Sequence, residues 1–192
     1  MVRFGDGNRR GFFGDLFGEW GDRMLEAARE RVEVERYQRP PGALPEVAFL
    51  AACTRCSACM DACPVDAIRK APARSGFAAG TPFLELEKQP CVACPDMPCA
   101  AACPTQALSI PERGWDDVRL GALRLVPERC VTFRDNTPCR ACADACPVGE
   151  EALTIDDLGH PVIRAEGCVG CGVCVRACIT SPSSLKLLPL ER

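Results

Sequence analysis

Apolar residues recur along most of the chain in short stretches separated by turn-forming residues, and this order repeats several times. The stretches that face each other across a turn are 67–68 and 83–86, 107–110 and 122–126, and 152–155 and 161–163, followed by a closing stretch at 184–188. Alternation within these stretches and turn signals between them predict short β-hairpins and a last strand. The chain is therefore built from a repeated unit.

The first 45 residues do not follow this repeat. A stripe of large apolar residues at helical spacing is formed by Phe13, Leu16, Phe17 and Trp20. Such a stripe favours packing on the protein itself or docking to a partner. Residues 22–38 have a strongly helical composition, and Arg39-Pro40-Pro41-Gly42 ends this helix because proline lacks the amide donor and restricts the residue before it. We predict an N-terminal helical and linker extension over residues 1–45, followed by one domain over residues 46–192.

Every cysteine of the chain lies between the predicted hairpins, in four runs of four. The runs are Cys53, Cys56, Cys59 and Cys63; Cys91, Cys94, Cys99 and Cys103; Cys130, Cys139, Cys142 and Cys146; and Cys168, Cys171, Cys174 and Cys178. Proline follows each of the first three runs, whereas Ile179 follows the fourth. The second and third runs carry insertions, while the first and fourth share one spacing.

The spacing of these cysteines has a chemical reason. Two residues between cysteines let a tight loop present three thiolates to one cube of iron and sulfide, and a fourth cysteine reaches a second cluster, as in bacterial [4Fe–4S] proteins. Small residues fill the gaps, so backbone amides approach the sulfides and influence the reduction potential. Zinc ribbons use two well-separated cysteine pairs instead, and a disulfide framework gives no reason for the repeated spacing. We predict that all sixteen cysteines bind the iron of four [4Fe–4S] clusters.

The predicted fold class is α+β: two tandem or interleaved bacterial 2[4Fe–4S] ferredoxin-like modules, with short β-hairpins and small helices, after the N-terminal extension. Two arrangements of the runs are open. Sequential pairing joins the first run to the second and the third to the fourth, whereas nested pairing joins the first to the fourth and the second to the third. The helical pattern before Cys53 slightly favours nested pairing. Both arrangements use the same sixteen ligands.

Composition and charge narrow the function classes. The net charge of −3, with acids matching the basic residues throughout, does not indicate a nucleic-acid partner. No stretch approaches the roughly 18 apolar residues of a membrane-spanning helix. With only eight Phe, two Trp and one Tyr, the apolar core is modest, so bound clusters are expected to supply much of the folding energy.

The compartment depends on the N-terminus. Arg9-Arg10-Gly11-Phe12-Phe13 is similar to the core of a twin-arginine export signal. Such a signal continues with about 7–15 apolar residues, whereas here acidic residues and glycines follow. We expect a cytoplasmic protein, with periplasmic export as the alternative.

The sequence shows no catalytic constellation. His160, the only histidine, is expected in a hairpin turn, and Trp115 beside Gly114 is expected to anchor a loop. Because every cysteine is assigned to a cluster, we predict an electron carrier rather than an enzyme. The alternatives are an assembly or maturation factor that docks on a molybdoenzyme through the aromatic stripe, and a structural cluster protein without redox turnover.

Several motifs are more specific than the cysteine spacing. They are Arg39-Pro40-Pro41-Gly42-Ala43-Leu44-Pro45 with Phe49-Leu50, the segment Cys94-Pro95-Asp96-Met97-Pro98-Cys99, the eight residues between Cys130 and Cys139, and Gly159-His160-Pro161-Val162. Through these motifs the chain resembles the NapG/MauM-type ferredoxin family, with the NapF type related to it. The resemblance runs from about Arg39 to Pro189. It implies four clusters that relay electrons from a quinol-oxidising membrane protein toward a periplasmic reductase or a similar redox enzyme, as a subunit or accessory. The expected partners are a quinol dehydrogenase-like membrane protein, a molybdoenzyme-like oxidoreductase, or both.

Overall fold

The computed structural model describes residues 37–190. The arginine pair at positions 9 and 10, the aromatic stripe and all but the end of the helix predicted over residues 22–38 lie outside the described residues.

The regular elements of the described part are short. Its α-helices are α1 (Glu46–Ala52), α2 (Ala58–Asp61), α3 (Pro98–Ala101), α4 (Val131–Arg134), α5 (Ala141–Asp144) and α6 (Val173–Ala177). Its strands are β1 (Ile68–Lys70), β2 (Pro82–Leu84), β3 (Ala122–Leu125), β4 (Leu153–Ile155), β5 (Pro161–Ile163) and β6 (Leu185–Leu188), and 3₁₀ turns lie at Gly76–Ala78, Gly114–Asp117, Pro127–Arg129 and Gly149–Glu151. Over residues 37–190, no helix is long and apolar enough to cross a membrane.

Four of the helices belong to the cysteine runs. Helices α2, α3, α5 and α6 each contain the third cysteine of a run and end shortly before the fourth. Ala, Cys and Asp form most of these single turns, which are too short to be stable alone. The small helices of the predicted fold are thus present inside the runs, and each moves the fourth cysteine away from the first three.

Within residues 37–190, three antiparallel pairs of strands lie between and around the runs. The pairs β1–β2 and β4–β5 are the first and third predicted hairpins, and β6 is the predicted closing strand. The middle prediction is wrong, because residues 107–110 do not pair with 122–126. Leu108 instead forms an isolated bridge with Ala43, and β3 pairs with β6 in the register Ala122–Leu188 to Leu125–Leu185.

These pairs give the chain the same architecture twice. In the first module, residues 37–121, the inner hairpin β1–β2 lies within an outer contact in which Leu44 N donates to Ala107 O at 3.1 Å and Ser109 N donates to Gly42 O at 2.9 Å. In the second module, residues 122–190, the inner hairpin β4–β5 lies within the outer pair β3–β6. The two ferredoxin-like modules are therefore in tandem.

Each module has a small core beside its cysteines. In the first, Phe49, Met97 and Leu108 are almost fully buried, together with several alanines and Cys59 and Cys99. In the second, the buried cluster consists of Leu153, Leu185 and Cys174, and partly buried residues such as Leu123 and Leu125 pack against it. The modest core predicted from composition is thus most evident in the second module.

Candidate iron–sulfur centres

Four cavities, numbered I to IV, are lined by the sixteen cysteines. Cavity I is lined by Cys53, Cys56, Cys59 and Cys103; cavity II by Cys63, Cys91, Cys94 and Cys99; cavity III by Cys130, Cys139, Cys142 and Cys178; and cavity IV by Cys146, Cys168, Cys171 and Cys174. All sixteen are present as thiols rather than disulfides. Every cysteine that the sequence singled out therefore lines one of the four cavities.

The fourth cysteine of each run crosses to the cavity of the other run in its module. Cys63 lines the cavity of the second run and Cys103 that of the first, while Cys146 and Cys178 exchange in the same way between the third and fourth runs. Sequential pairing is present, and the slight preference for nested pairing was wrong. The preference rested on a helix before Cys53, and this helix is present as α1. The strand-like contact expected at the start of the module lies further upstream, where Ala43 pairs with Leu108.

The arrangement of the thiols fits a polynuclear group better than a single ion. Each cavity is surrounded by four cysteines that come from two different runs. Four thiolates around one zinc ion would each lie about 2.3 Å from it, so the four sulfurs would have to be close together. Among the residues the structure describes, no three His, Cys, Asp or Glu side chains are close enough to hold one ion together.

The loops around the cavities contain residues in the left-handed region that are not glycine. Arg55 and Ser57 next to cavity I have φ of 60° and 74°, and Ala93 and Met97 next to cavity II have 50° and 41°. Each such residue costs on the order of 1–3 kcal/mol. A loop keeps this conformation when something in its centre fixes it, and four thiolates bound to one cluster would do so.

Burial makes the thiolate form of these cysteines unfavourable unless a cation is bound beside them. Burial, followed by repulsion from Cys53 and Cys103, raises the pKa of Cys59 to about 11. Burial is likewise the main cause that raises the pKa of Cys91 to about 11 and of Cys99 to about 12. Four thiolates confined this closely are stable only around positive charge, and the irons of a cluster provide it. The residues present thus fit a [4Fe–4S] cluster in each cavity.

In the first module, backbone amides approach the two exchanged sulfurs. Ala67 N lies 3.3 Å from Cys63 Sγ, and Leu108 N lies 3.4 Å from Cys103 Sγ. Each amide lies just after its cysteine run: Ala67 directly before β1, and Leu108 at the bridge to Ala43. The repeated fold therefore gives both exchanged thiolates the same kind of donor, and hydrogen bonds to sulfur are one control of reduction potential.

In cavity III, hydroxyl groups contact the sulfurs. Thr180 Oγ1 and Ser184 Oγ each lie 3.2 Å from Cys178 Sγ, and Thr132 Oγ1 lies 3.3 Å from Cys130 Sγ. Burial by itself raises the pKa of Cys178, but the hydrogen bonds from Ser184 and Thr180 outweigh it and lower this pKa to about 6. Sequence reasoning missed these residues, although the missing proline after Cys178 was a signal.

Two other residues take the places expected of them. Trp115 lines cavity II, and its Nε1 donates to Cys94 O at 2.7 Å, so it anchors the loop of the second run. His160 lies in the turn between β4 and β5, where its amide donates to Asp156 Oδ1 at 2.7 Å and its ring stacks on Phe133. Trp115 is thus a loop anchor and His160 a turn residue, as the sequence predicted.

Comparison with known protein families agrees with this geometry. Models described as 4Fe-4S dicluster domains match residues 52–107, 90–150 and 122–179. The first match spans the two runs of the first module and the last spans the two runs of the second, while the middle match joins the second run to the third. Paired cysteine-lined cavities in two such modules define a ferredoxin-type iron–sulfur protein.

Curated relatives narrow the class further. The chain is 38% identical to the ferredoxin-type protein NapG of Escherichia coli over 164 residues, covering 80% of this chain and 71% of that protein. It is 39% identical to the methylamine utilization ferredoxin-type protein MauM of Methylorubrum extorquens, covering 80% and 73%. The ferredoxin-type protein NapF of Escherichia coli is 27% identical, over 85% of this chain and 97% of that protein. The chain belongs to the NapG/MauM family of ferredoxin-type proteins, so it is an iron–sulfur electron carrier and not an enzyme.

One solved structure is also similar in part. The formate dehydrogenase, heterodisulfide reductase and formylmethanofuran dehydrogenase complex from Methanospirillum hungatei contains a chain that is 20% identical, covering 74% of this chain and 52% of that chain, with a TM-score of 0.28.

Proposed function

We propose that the protein relays single electrons between redox partners through four [4Fe–4S] clusters, one in each of cavities I to IV. The ligands would be the four cysteines that line each cavity. When bound, a [4Fe–4S] cluster accepts and releases one electron at a potential that its surroundings set. The observation that carries the proposal is the exchange of the fourth cysteine within each module.

The chain's own residues would hold and tune the clusters. Because Cys63 and Cys103 exchange between cavities I and II, two clusters in one module have to be neighbours. Phe49, which is fully buried and lines cavity I, and Met97, which lines cavity II, keep water from one side of each site. Burial and hydrogen bonds to sulfur are the means by which a protein sets these potentials.

The proposed partners are a donor and an acceptor protein, with this chain as a subunit or accessory of an oxidoreductase or quinol-linked system. The donor would be a quinol dehydrogenase-like membrane protein, and the acceptor a molybdoenzyme-like oxidoreductase. This part rests on the family resemblance. If residues 1–45 are a separate extension that docks a partner, a chain without residues 1–36 should keep its iron and lose co-purification with that partner. Unchanged co-purification would refute the docking role.

Metal and sulfide analysis tests the cofactor. Protein purified without oxygen should contain about sixteen irons and as many sulfides per chain. Zinc, or two metals or fewer, would overturn the proposal. Redox titration followed by EPR should then show several reducible clusters that interact magnetically, whereas clusters that stay silent over the physiological range would indicate a structural role.

The proposal includes the compartment in which the protein works. A cytoplasmic location remains our prediction, and cell fractionation of the tagged full chain would test it. Recovery from the periplasm would favour the export alternative.

A further inference from the structure

The two modules meet at a contact that is built from two of the four runs. Cys91 N donates to Cys171 O at 3.0 Å, so one backbone hydrogen bond joins a residue of cavity II to a residue of cavity IV. Beside it, Leu120 N donates to Val169 O at 2.8 Å and Arg176 Nη1 donates to Lys88 O at 3.2 Å. The second and fourth runs therefore lie directly against each other.

The burial of the runs points to the same arrangement. The first and fourth runs have identical spacing, yet residues 54–56 of the first are exposed, whereas residues 169–172 of the fourth are all buried. In the third run, residues 133–138 after the first cysteine are exposed as well. Cavities I and III thus have exposed loops, and the loop of cavity IV is covered by the first module.

Two glycines of the fourth run show that this close approach is built into the sequence. Gly170 and Gly172 have φ of 70° and 88°, but the corresponding residues of the first run, Arg55 and Ser57, adopt φ of 60° and 74° with side chains. Wrapping a cluster therefore does not require glycine at these places. A Cβ atom on Gly172 would lie 2.8 Å from Leu86 O, and one on Gly170 would lie 2.2 Å from Gly121 O. The absent side chains are what lets the modules touch.

We propose that the Cys91–Cys171 contact is the electron connection between the modules and that the four sites are ordered I–II–IV–III. This inference rests on the proposed four-cluster function. Transfer across the contact makes and breaks no bond: the site on one side is oxidised by one electron while the site on the other side is reduced by one. Cavities I and III are then the two ends of the relay.

The first test replaces Gly172 by the residue that the first run uses. Gly172→Ser in the full chain, loaded and reduced with dithionite under anaerobic conditions, should keep about sixteen irons and weaken the magnetic interaction between modules in the EPR spectrum, because the added side chain pushes the fourth run away from Leu86 O. Ser57→Gly is the reciprocal control at the matching position of the first run, and Gly159→Ser tests a similar φ, 84°, where the Cβ position is open. Both controls should leave the interaction unchanged. An unchanged interaction in Gly172→Ser with full iron would overturn the proposal.

The second test removes one site at a time and decides the order even if Gly172→Ser loses iron. Replacing Cys168 and Cys174 by alanine empties cavity IV and should abolish the interaction between modules while the pair in the first module remains. The matched variant, in which Cys53 and Cys59 are replaced by alanine, empties cavity I and should preserve the interaction between the modules. Loss of the interaction in this second variant would overturn the order. Failure of the four-cluster function itself would already show as missing iron in the unaltered protein.

Discussion

Thr180, Ser184 and Thr132 place three hydroxyl groups against the sulfurs of cavity III. A hydrogen bond to a thiolate stabilises the more negative, reduced cluster and so raises its reduction potential. We expect the double variant Thr180→Val, Ser184→Ala to lower the potential of this one cluster. A net hydrogen bond of about 1 kcal/mol corresponds to roughly 40 mV for one electron. Redox titration followed by EPR would measure the shift.

Thr105→Val is the matched control for this pair. Its hydroxyl lies 3.8 Å from Cys103 Sγ, which is at the limit of a hydrogen bond to sulfur, so a smaller shift is expected at cavity I. A potential at cavity III that stays constant or rises in the double variant would contradict the assignment.

Arg39 connects the entry segment of the first module to its core. Only 4% of it is exposed, and it donates to both carboxylate oxygens of Glu46 at 2.9 and 2.6 Å and to Thr81 Oγ1 and Pro82 O at 2.8 Å each. Arg39→Met keeps an apolar stem and removes these bonds. We expect Arg39→Met to lower the free energy of unfolding by roughly 2 kcal/mol. This is less than the loss expected for a fully buried ion pair, because Glu46 stays partly hydrated.

The midpoint of thermal loss of the cluster absorbance would measure this effect. Arg69→Met, at an exposed position of β1, is the control and should leave the midpoint in place. If Arg39→Met has the same midpoint as the unaltered protein, these bonds do not hold the entry segment.

At the residue scale, the sequence predicted the cysteines but not their hydroxyl partners. The spacing of the cysteines in a run is set by the loop that surrounds one cluster, and it is visible in a short stretch of sequence. The cysteines from Cys53 to Cys63 could therefore be predicted as cluster ligands from that stretch alone. Ser184 contacts Cys178 because the chain turns back before β6. A serine in a turn-rich segment has many other uses, and only the missing proline after Cys178 marked this place.

Among the elements, β6 stabilises the second module through one face. Leu185 is 2% exposed and belongs to its small core, whereas the next residue, Lys186, is exposed. Leu185→Ala should lower the free energy of unfolding by about 3 kcal/mol. A core with so few large residues cannot rearrange to fill the cavity that the shorter side chain leaves. Lys186→Ala, on the other face of the strand, should change the stability by less than about 0.5 kcal/mol.

Chelator-driven iron release would measure this difference between the two variants. Leu185→Ala should release the iron of cavities III and IV faster while cavities I and II keep theirs. Equal release from all four cavities would show that the modules do not have separate cores.

The strand pairing shows where sequence reasoning reached its limit. The hairpins β1–β2 and β4–β5 were predictable because their partners follow after one turn. The alternation in β3 predicted a strand correctly but carried no information on its partner, β6, which lies some sixty residues later along the chain. The bridge between Ala43 and Leu108 is equally distant, and without it the choice between sequential and nested pairing could not be made.

At the scale of the whole molecule, tandem modules with exchanged fourth cysteines predict which cluster each substitution affects. Cys63→Ala should remove one iron or the whole cluster at cavity II, because Cys63 lines that cavity with Cys91, Cys94 and Cys99. Cys103→Ala should act at cavity I in the same way. Nested pairing would instead move the damage of Cys63→Ala to the cluster of the fourth run.

Iron analysis and EPR of the two variants would distinguish the arrangements. The variants differ in one further respect that depends on the order I–II–IV–III. Cavity II borders the second module through Cys91, so Cys63→Ala should also weaken the magnetic interaction between modules, whereas Cys103→Ala should preserve it. If both variants preserve the interaction although iron is lost, cavity II does not connect the modules. If Cys63→Ala leaves cavity II intact and alters cavity IV, the sequential exchange of ligands is wrong.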